Sequence, residues 1–299
     1  PRVRREAEVL VQAGHAVDVI GLNEGGEAAS EVAAGVRLYR CSLGRSRVRG
    51  IVNLVAEYVG FLVRAWWKLT RLHFERRYDV AIVANMPNFL VFATLPWRFM
   101  GMRVILDLHD PAPETFASLF AGRHGVINRL MLFEEWLCCR YAHRTITVNH
   151  AIQAVFAART GVEPFVSHNT PDQSANQVQK ARYEREKAVR KLIIHGYIHR
   201  RDGLDDVVRV VHRLNAPEVR FELDIYGDGP FLSGLQAVVA ELGSPVWCRL
   251  HGRYVAGEIT ASLAEADLAI ATYLPNSLAE LRLPAQAPDS ARPMKPWRR

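Results

Sequence analysis

The chain has 299 residues, 49% hydrophobic and 23% charged, with 38 Lys and Arg against 31 Asp and Glu for a formal net charge of +7. These are ordinary globular proportions at a length that corresponds to two domains, which excludes a mostly disordered chain or a fibre. Cys41, Cys138, Cys139 and Cys248 form no CxxC pair and no zinc-spaced cluster, which excludes a disulfide framework and fits a reducing compartment.

From its first residue, Pro1, the chain runs straight into PRVRREAEVLVQAG, a helical pattern with no signal peptide before it. A fragment without its first strand is the expectation. Strands are predicted at AVDVIG (16–21) and VRLYRC (36–41). The longest apolar run, IVNLVAEYVGFLVRAWW (51–67), is broken by Asn53, Glu57 and Arg64 and is shorter than the ~20 residues a membrane span needs. Between Arg37 and Arg77 stand ten Lys or Arg against two Glu, with Trp66 and Trp67 beside Arg64, Lys68 and Arg71. A basic helix with interfacial aromatics can lie on an anionic membrane, so residues 45–77 are a candidate peripheral contact. A solvated amphipathic helix packed on its own sheet is the alternative. Nucleic acid is not an expected partner, because no nucleic-acid motif accompanies the patch.

Further strands are predicted at DVAIVA (79–84), RVILDL (103–108), RTITVN (144–149) and PFVSH (164–168). A polar, charged stretch at 171–191 reads as a linker. The pattern then restarts with KLIIHG (191–196), RFELDIYG (220–227), VWCRLHG (246–252) and DLAIATY (267–273). Helices fall between them, at 2–13, 52–76, 125–141, 150–160, 203–214, 230–242 and 257–265. Strands alternating with helices predict an α/β chain of two Rossmann-like domains built on doubly wound parallel sheets. Their expected bounds are 1–170 and 191–284, joined by a linker at 171–190, with a Pro-rich, non-native-looking tail at 285–299.

Polar and Gly residues gather at the carboxyl ends of the strands, where ligands of open α/β sheets sit: Asn85, His109-Asp110, Asn149, His168-Asn169, Gly196-Tyr197, Gly227-Asp228-Gly229 and Gly252-Arg253. Two rims facing across a cleft are the expectation. His109, ending ILDLHD (105–110), has the chemistry to donate a hydrogen bond to a substrate hydroxyl or to move a proton; capping the next loop is the alternative. A metal site there lacks a third ligand at useful spacing. In HGYIHRRDGLDDVVRVV (195–211), Gly196 lets a ligand approach, and Arg200 and Arg201 precede a helix start near Leu204. Cations beside free helix N–H groups suit a diphosphate; an exposed basic loop is the alternative. In IYGDGP (225–230), Gly227 and Gly229 read as positions for positive φ and Pro230 as the first helical residue, although a tight strand–helix turn explains them equally. Glu280 faces a sugar or is solvated. GxSxG, HExxH and a Walker lysine loop are absent, which removes specific support for a serine hydrolase, a zincin or a P-loop ATPase.

Taken together, the segments resemble the family-4 retaining glycosyltransferases of the GT-B fold. The likeness runs from about residue 1 to 284 and rests on the order of YDVAIVAN, VILDLHDPAPE, CRYAHRTITVN, VSHNTPD, IIHGYIHRRDGLDDVV, LDIYGDGP, LHGRY and EADLAIATYLPNS. The resemblance implies a nucleotide-sugar donor, UDP- or GDP-linked, on the second domain and a saccharide or lipid-linked acceptor on the first. It implies His109 as the catalytic residue facing the transferred sugar. Gly196, Tyr197, Arg200, Arg201, Gly227, Asp228, Gly229, Arg253 and Glu280 are the implied donor contacts, and Asn85, Asp110 and Asn169 lie on the acceptor side. No cofactor is expected, and no DxD triplet is present to hold a metal. The implied setting is cell-surface polysaccharide or glycolipid synthesis in the cytoplasm, at the inner membrane face.

The chain departs from the family pattern at Tyr197 and Asp202, where relatives often carry Arg and Lys. The second Glu of E-x7-E is also absent, QAPDSARPMKP standing in its place, so the C-terminal helices are expected to be missing. A non-catalytic remnant and a GT-B-fold nucleotide-sugar epimerase therefore stay open beside the transferase reading.

Overall fold

The structure, a computed structural model, describes residues 2–23, 27–42, 51–119, 125–169, 188–254 and 259–272. The chain divides into two compact units, Pro1–Asn169 and Thr170–Arg299.

In the first unit, α1 (Arg2–Gln12) gives way at Gly14, whose φ of 90° turns the chain towards β1 (Asp18–Asn23). β1 pairs in parallel with β3 (Val36–Ser42). A strand not anticipated from the sequence, β2 (Ser30–Ala33), pairs antiparallel on the other side of β3. Ala34 and Gly35, both at positive φ, make the two-residue turn between β2 and β3. SEVA is short, small and wholly exposed, so it carries no alternation for a sequence reading to find.

The second sheet is all parallel, in the order β4 (Val80–Ala84), β5 (Arg103–Leu108), β6 (Arg144–Thr147), β7 (Phe165–Val166). The single sheet expected for this half is thus two sheets of three and four strands among the described residues. Among the described residues β4 pairs only with β5, and Val80 and Ile82 of this edge strand are exposed. β5 is central, and Val104, Leu106 and Leu108 are fully buried. The helical elements of this unit are α2 (Ile51–Arg76), a 3-10 turn (Asn88–Thr94), α3 (Leu95–Phe99), α4 (Ala112–Leu119), α5 (Gly125–Tyr141) and α6 (His150–Thr160). Asn149 caps α6 through its side chain, and Gly161 closes it in the left-handed conformation.

The second unit holds a parallel sheet in the order β10 (Cys248–Gly252), β9 (Phe221–Asp228), β8 (Arg190–Tyr197), β11 (Leu268–Ala269). With α7 (Leu204–Leu214), α8 (Leu232–Glu241) and α9 (Ile259–Glu265), it follows the predicted alternation. Its core joins Leu192 and Ile194 of β8, Leu223 and Ile225 of β9, Val208 and Val211 of α7, Leu235 of α8 and Trp247. The last strand is two residues long rather than the predicted seven. Most of the expected linker, the tail at 285–299 and Glu280 lie outside the described residues; Arg190, the last linker residue, opens β8. All four cysteines are free, and burial pushes the Cys139 thiol up to about 12.

Candidate active site

β5 ends in three buried residues, Leu106, Asp107 and Leu108, and then releases His109 and Asp110 at its carboxyl end. Asn85, at the end of the neighbouring β4, staples this corner. Its Oδ1 accepts from the His109 backbone N–H at 2.8 Å, and its Nδ2 donates to the Asp110 carbonyl at 2.8 Å. Asn85, His109 and Asp110 are thus brought together, with the Asn85 side chain acting as a clamp on the loop.

The imidazole is held from the buried side. His109 Nε2 lies 2.5 Å from Oδ2 of Asp107, a carboxylate with no exposure to solvent. Arg2 of α1 grips the same carboxylate with both ends of its guanidinium, at 2.9 Å to Oδ2 and 3.2 Å to Oδ1. Arg2 also donates to the Ser167 carbonyl at 2.9 Å and pairs with Glu6 at 2.8 Å. Burial first, then the Asp107 charge, raises the Glu6 carboxyl above its usual range. Asp107, Arg2 and Glu6 did not emerge from the sequence as site residues. The available signal was the two-residue spacing of Asp107, near the end of β5, and His109 just beyond it, which puts both on one face where the chain stays extended.

Asn169 accepts a hydrogen bond from Arg5 of α1 at 2.5 Å on the exposed surface of the first unit. Behind the His109 loop, Arg159 of α6 pairs with Glu114 of α4 and lies 3.6 Å from Glu135 of α5. That ties together the three helices that follow the loop.

In the second unit, a cavity of about 180 Å³ opens at the carboxyl ends of β8 and β9. Gly196, Tyr197 and Arg201 line it, together with His195, Tyr226 and Thr272. Arg200 and Arg201 sit on a 3-10 turn (Arg200–Asp202) and part company there. Arg201 turns to the cavity, whereas Arg200 is exposed and lies over the Phe231 ring at 5.7 Å. His199 and Asp202 close the turn as a reciprocal capping box. Gly203 then enters α7 with φ of 65° and no side chain to cap the helix amides.

Gly227 and Gly229 are glycines for a reason other than positive φ. Neither has a positive φ. A Cβ on Gly229 would lie 2.2 Å from the Ile198 carbonyl oxygen, so the strand ends pack backbone to backbone. Pro230 lies ahead of α8, which begins at Leu232, rather than at its first position. Asp228 is exposed and accepts from the Gly229 N–H at 2.7 Å; Arg253 is exposed after Gly252 at the end of β10.

An aromatic group that the sequence analysis does not mark stands at the same strand ends. Tyr226 stacks flat on His251 with centroids 4.1 Å apart, and Tyr254 meets Tyr226 edge-on at 6.2 Å. His195 Nδ1 lies 3.0 Å from the Tyr254 hydroxyl, and burial holds the His195 imidazole below its usual pKa. The signal was the recurrence of His and Tyr in HGY, IYG and LHGRY.

α2 packs Phe61 and Ala65 against Ala93, Ile20 and Cys41. Part of its charge is spent locally, with Lys68 over the Tyr39 ring at 4.4 Å and Arg76 on Asp18 at 2.5 Å. Val55, Val59, Val63, Trp66, Trp67 and Phe74 remain exposed. Among the described residues no helix is long and apolar enough to cross a membrane, and no group of three His, Cys, Asp or Glu is placed to hold a metal ion.

Residues 2–174 match the family model described as Glycosyltransferase Family 4. No curated protein sequence matches the chain. Among solved structures, sucrose-phosphate synthase from Thermosynechococcus elongatus superimposes with a TM-score of 0.65 at 15% identity, covering 93% of this chain and 71% of that one. The lipopolysaccharide outer core galactosyltransferase WaaB gives 0.53 at 15%, covering 80% and 59%. The E. coli trehalose-6-phosphate structure bound to UDP-2-fluoro glucose gives 0.60 at 10%, covering 89% and 74%. At these identities the likeness shows the fold, an α/β architecture of two Rossmann-like domains.

Proposed function

The chain belongs to glycosyltransferase family 4, and from that premise we propose that it moves a sugar from a UDP- or GDP-linked donor to a saccharide or lipid-linked acceptor with retention. The observation that carries the donor half is the cavity at the ends of β8 and β9, with the Arg201 guanidinium and the uncapped start of α7 at one strand end. A cation and free helix amides are complementary to a diphosphate. A neighbour of the same fold bound to UDP-2-fluoro glucose supports this choice of ligand.

In this reading Gly196 allows the diphosphate to approach the backbone. Arg201 and the α7 amides stabilise the charge that grows on it as the glycosidic bond breaks. Tyr197, Arg200, Gly227, Asp228, Gly229 and Arg253 border the donor, and Glu280 is assigned to the sugar. His109 faces the transferred sugar, and Asn85, Asp110 and Asn169 border the acceptor, so that rate comes from holding two partners in register. The 1–170 unit takes the acceptor and the 191–284 unit the donor. The exposed apolar and basic face of α2 supports docking at the inner membrane face, in cell-surface polysaccharide or glycolipid synthesis.

Calorimetry with UDP- and GDP-sugars tests the donor reading. Saturable binding that the corresponding diphosphate competes away is the expected result. Failure of every such sugar to bind overturns it. Tyr197 and Asp202, where relatives often carry basic residues, favour a second reading as a non-catalytic remnant. Measurable sugar transfer by residues 1–299 disposes of that reading.

A further inference from the structure

The geometry points to Asp107 as the residue that positions His109, holding its imidazole with Nε2 as donor and Nδ1 as a free acceptor for a sugar hydroxyl. The role for the sugar rests on the transferase reading above; the hydrogen-bond assignment does not.

Asp107 and His109 are two residues apart at the end of β5, so their side chains leave the strand on one face. The carboxylate is fully buried, and Arg2 binds it through Nε and Nη2. A carboxylate paired with a guanidinium offers lone pairs and no proton, so at the 2.5 Å contact the hydrogen belongs to His109 Nε2. In a neutral imidazole the second nitrogen is then an acceptor. His109 Nδ1 has no hydrogen-bond partner among the described residues, and the ring is 29% exposed. Asn85 fixes the same residue from its backbone N–H, so both the ring and the main chain at His109 are held in place. The anchor extends one residue further, because Arg2 is itself pinned by the Ser167 carbonyl and Glu6. The outcome is a ring with one protonated nitrogen held by the buried carboxylate and one nitrogen keeping its lone pair, on a partly exposed side chain at a strand end where a ligand of this fold class sits. Asp107 touches no reacting atom in this account; it acts through His109.

The test is a long-range 1H–15N imidazole spectrum of the full chain at a pH where His109 is neutral, with the His109 signals identified by their loss in His109→Gln. The expected wild-type pattern is a proton on Nε2, with its resonance displaced downfield by the charged acceptor. In Asp107→Asn the acceptor is neutral, and the resonance moves upfield. A wild-type proton on Nδ1, or an Nε2–H resonance that does not move in Asp107→Asn, overturns the assignment. Should Asp107→Asn not fold, the wild-type pattern alone still decides.

Kinetics separate positioning from mere support. Asp107→Asn lowers kcat about tenfold or more with the donor KM unchanged, and has no further effect in a His109→Gln background. An equal loss in that background overturns the positioning role. Absence of transfer by the wild-type chain overturns the transferase reading and, with it, the sugar-accepting role of Nδ1, while the spectrum still decides the hydrogen bond.

Discussion

Gly227 of β9 pairs in register with Gly196 of β8 so closely that a Cβ on Gly227 would lie 2.0 Å from the Gly196 carbonyl oxygen. No side chain fits there, so the two strand ends are locked together by their lack of one. Gly227→Ala is expected to displace the 196–198 segment and destabilise the second unit by roughly 1–3 kcal/mol, the range for forced overpacking. Gly21→Ala is the control: an added Cβ meets nothing within 4 Å at an ordinary φ, and the change is expected to stabilise by up to about 1 kcal/mol. Urea unfolding of both variants checks the contrast, and equal effects would refute the packing account.

Glu135 gives the first unit a pH dependence. Its carboxylate is fully buried with both oxygens unbonded among the described residues, and burial pushes its pKa up to about 7 against the partial relief of Arg159. An acid whose folded pKa exceeds its unfolded value keeps its contribution while both states are protonated. It loses that contribution as pH rises from the ordinary carboxyl value of 4.5 through about 7. The expected loss is roughly 3 kcal/mol, at 1.36 kcal/mol per pKa unit. Glu135→Gln is expected to flatten the profile between pH 5 and 8 (about the linkage window) and to stabilise the chain at the upper end. Urea midpoints across that range, wild type against variant, measure it; parallel profiles would contradict the assignment.

The two neighbouring arginines are expected to behave differently. Arg201 lines the cavity at the ends of β8 and β9, whereas Arg200 is exposed over Phe231. Arg201→Ala is expected to weaken donor binding at least about tenfold, the worth of one charge-assisted contact, and Arg200→Ala less than about threefold. Calorimetric Kd values for both variants decide it. A larger loss at Arg200 would reverse the assignment.

The free face of α2 is expected to bind anionic vesicles. Trp67 is 65% exposed, with Val55, Val59 and Val63 on earlier turns of the same helix. Cosedimentation with vesicles containing phosphatidylglycerol should exceed that with phosphatidylcholine alone and should fall as salt rises. Trp66→Ala combined with Trp67→Ala is expected to weaken binding severalfold. Equal binding to neutral vesicles would remove the electrostatic part of the proposal, and no binding to either would remove the surface.

The alternation of elements was legible because each one carries its own period. RVILDL and RFELDIYG read as strands and HAIQAVFAART as a helix from local pattern alone, and the structure places β5, β9 and α6 there. β2 was not legible, because SEVA has no pattern and becomes a strand only by pairing with β3. The separation of β1–β3 from β4–β7 was equally hidden, since no residue reports which edges will remain unpaired.

The candidate site divides along the same line. The order of residues alone says which chemistry stands at the strand ends: His109, Asp110, Asn85, and the glycines and arginines of the second unit all precede or follow a recognisable strand. Which partners those groups have depends on packing. Arg2 and Asp107 are 105 residues apart and meet through packing, and adjacent Arg200 and Arg201 diverge because one turn points them to different surroundings. Periodicity is a property of neighbouring residues, whereas hydrogen bonds, burial and close backbone approach depend on distances that exist only once remote segments have packed.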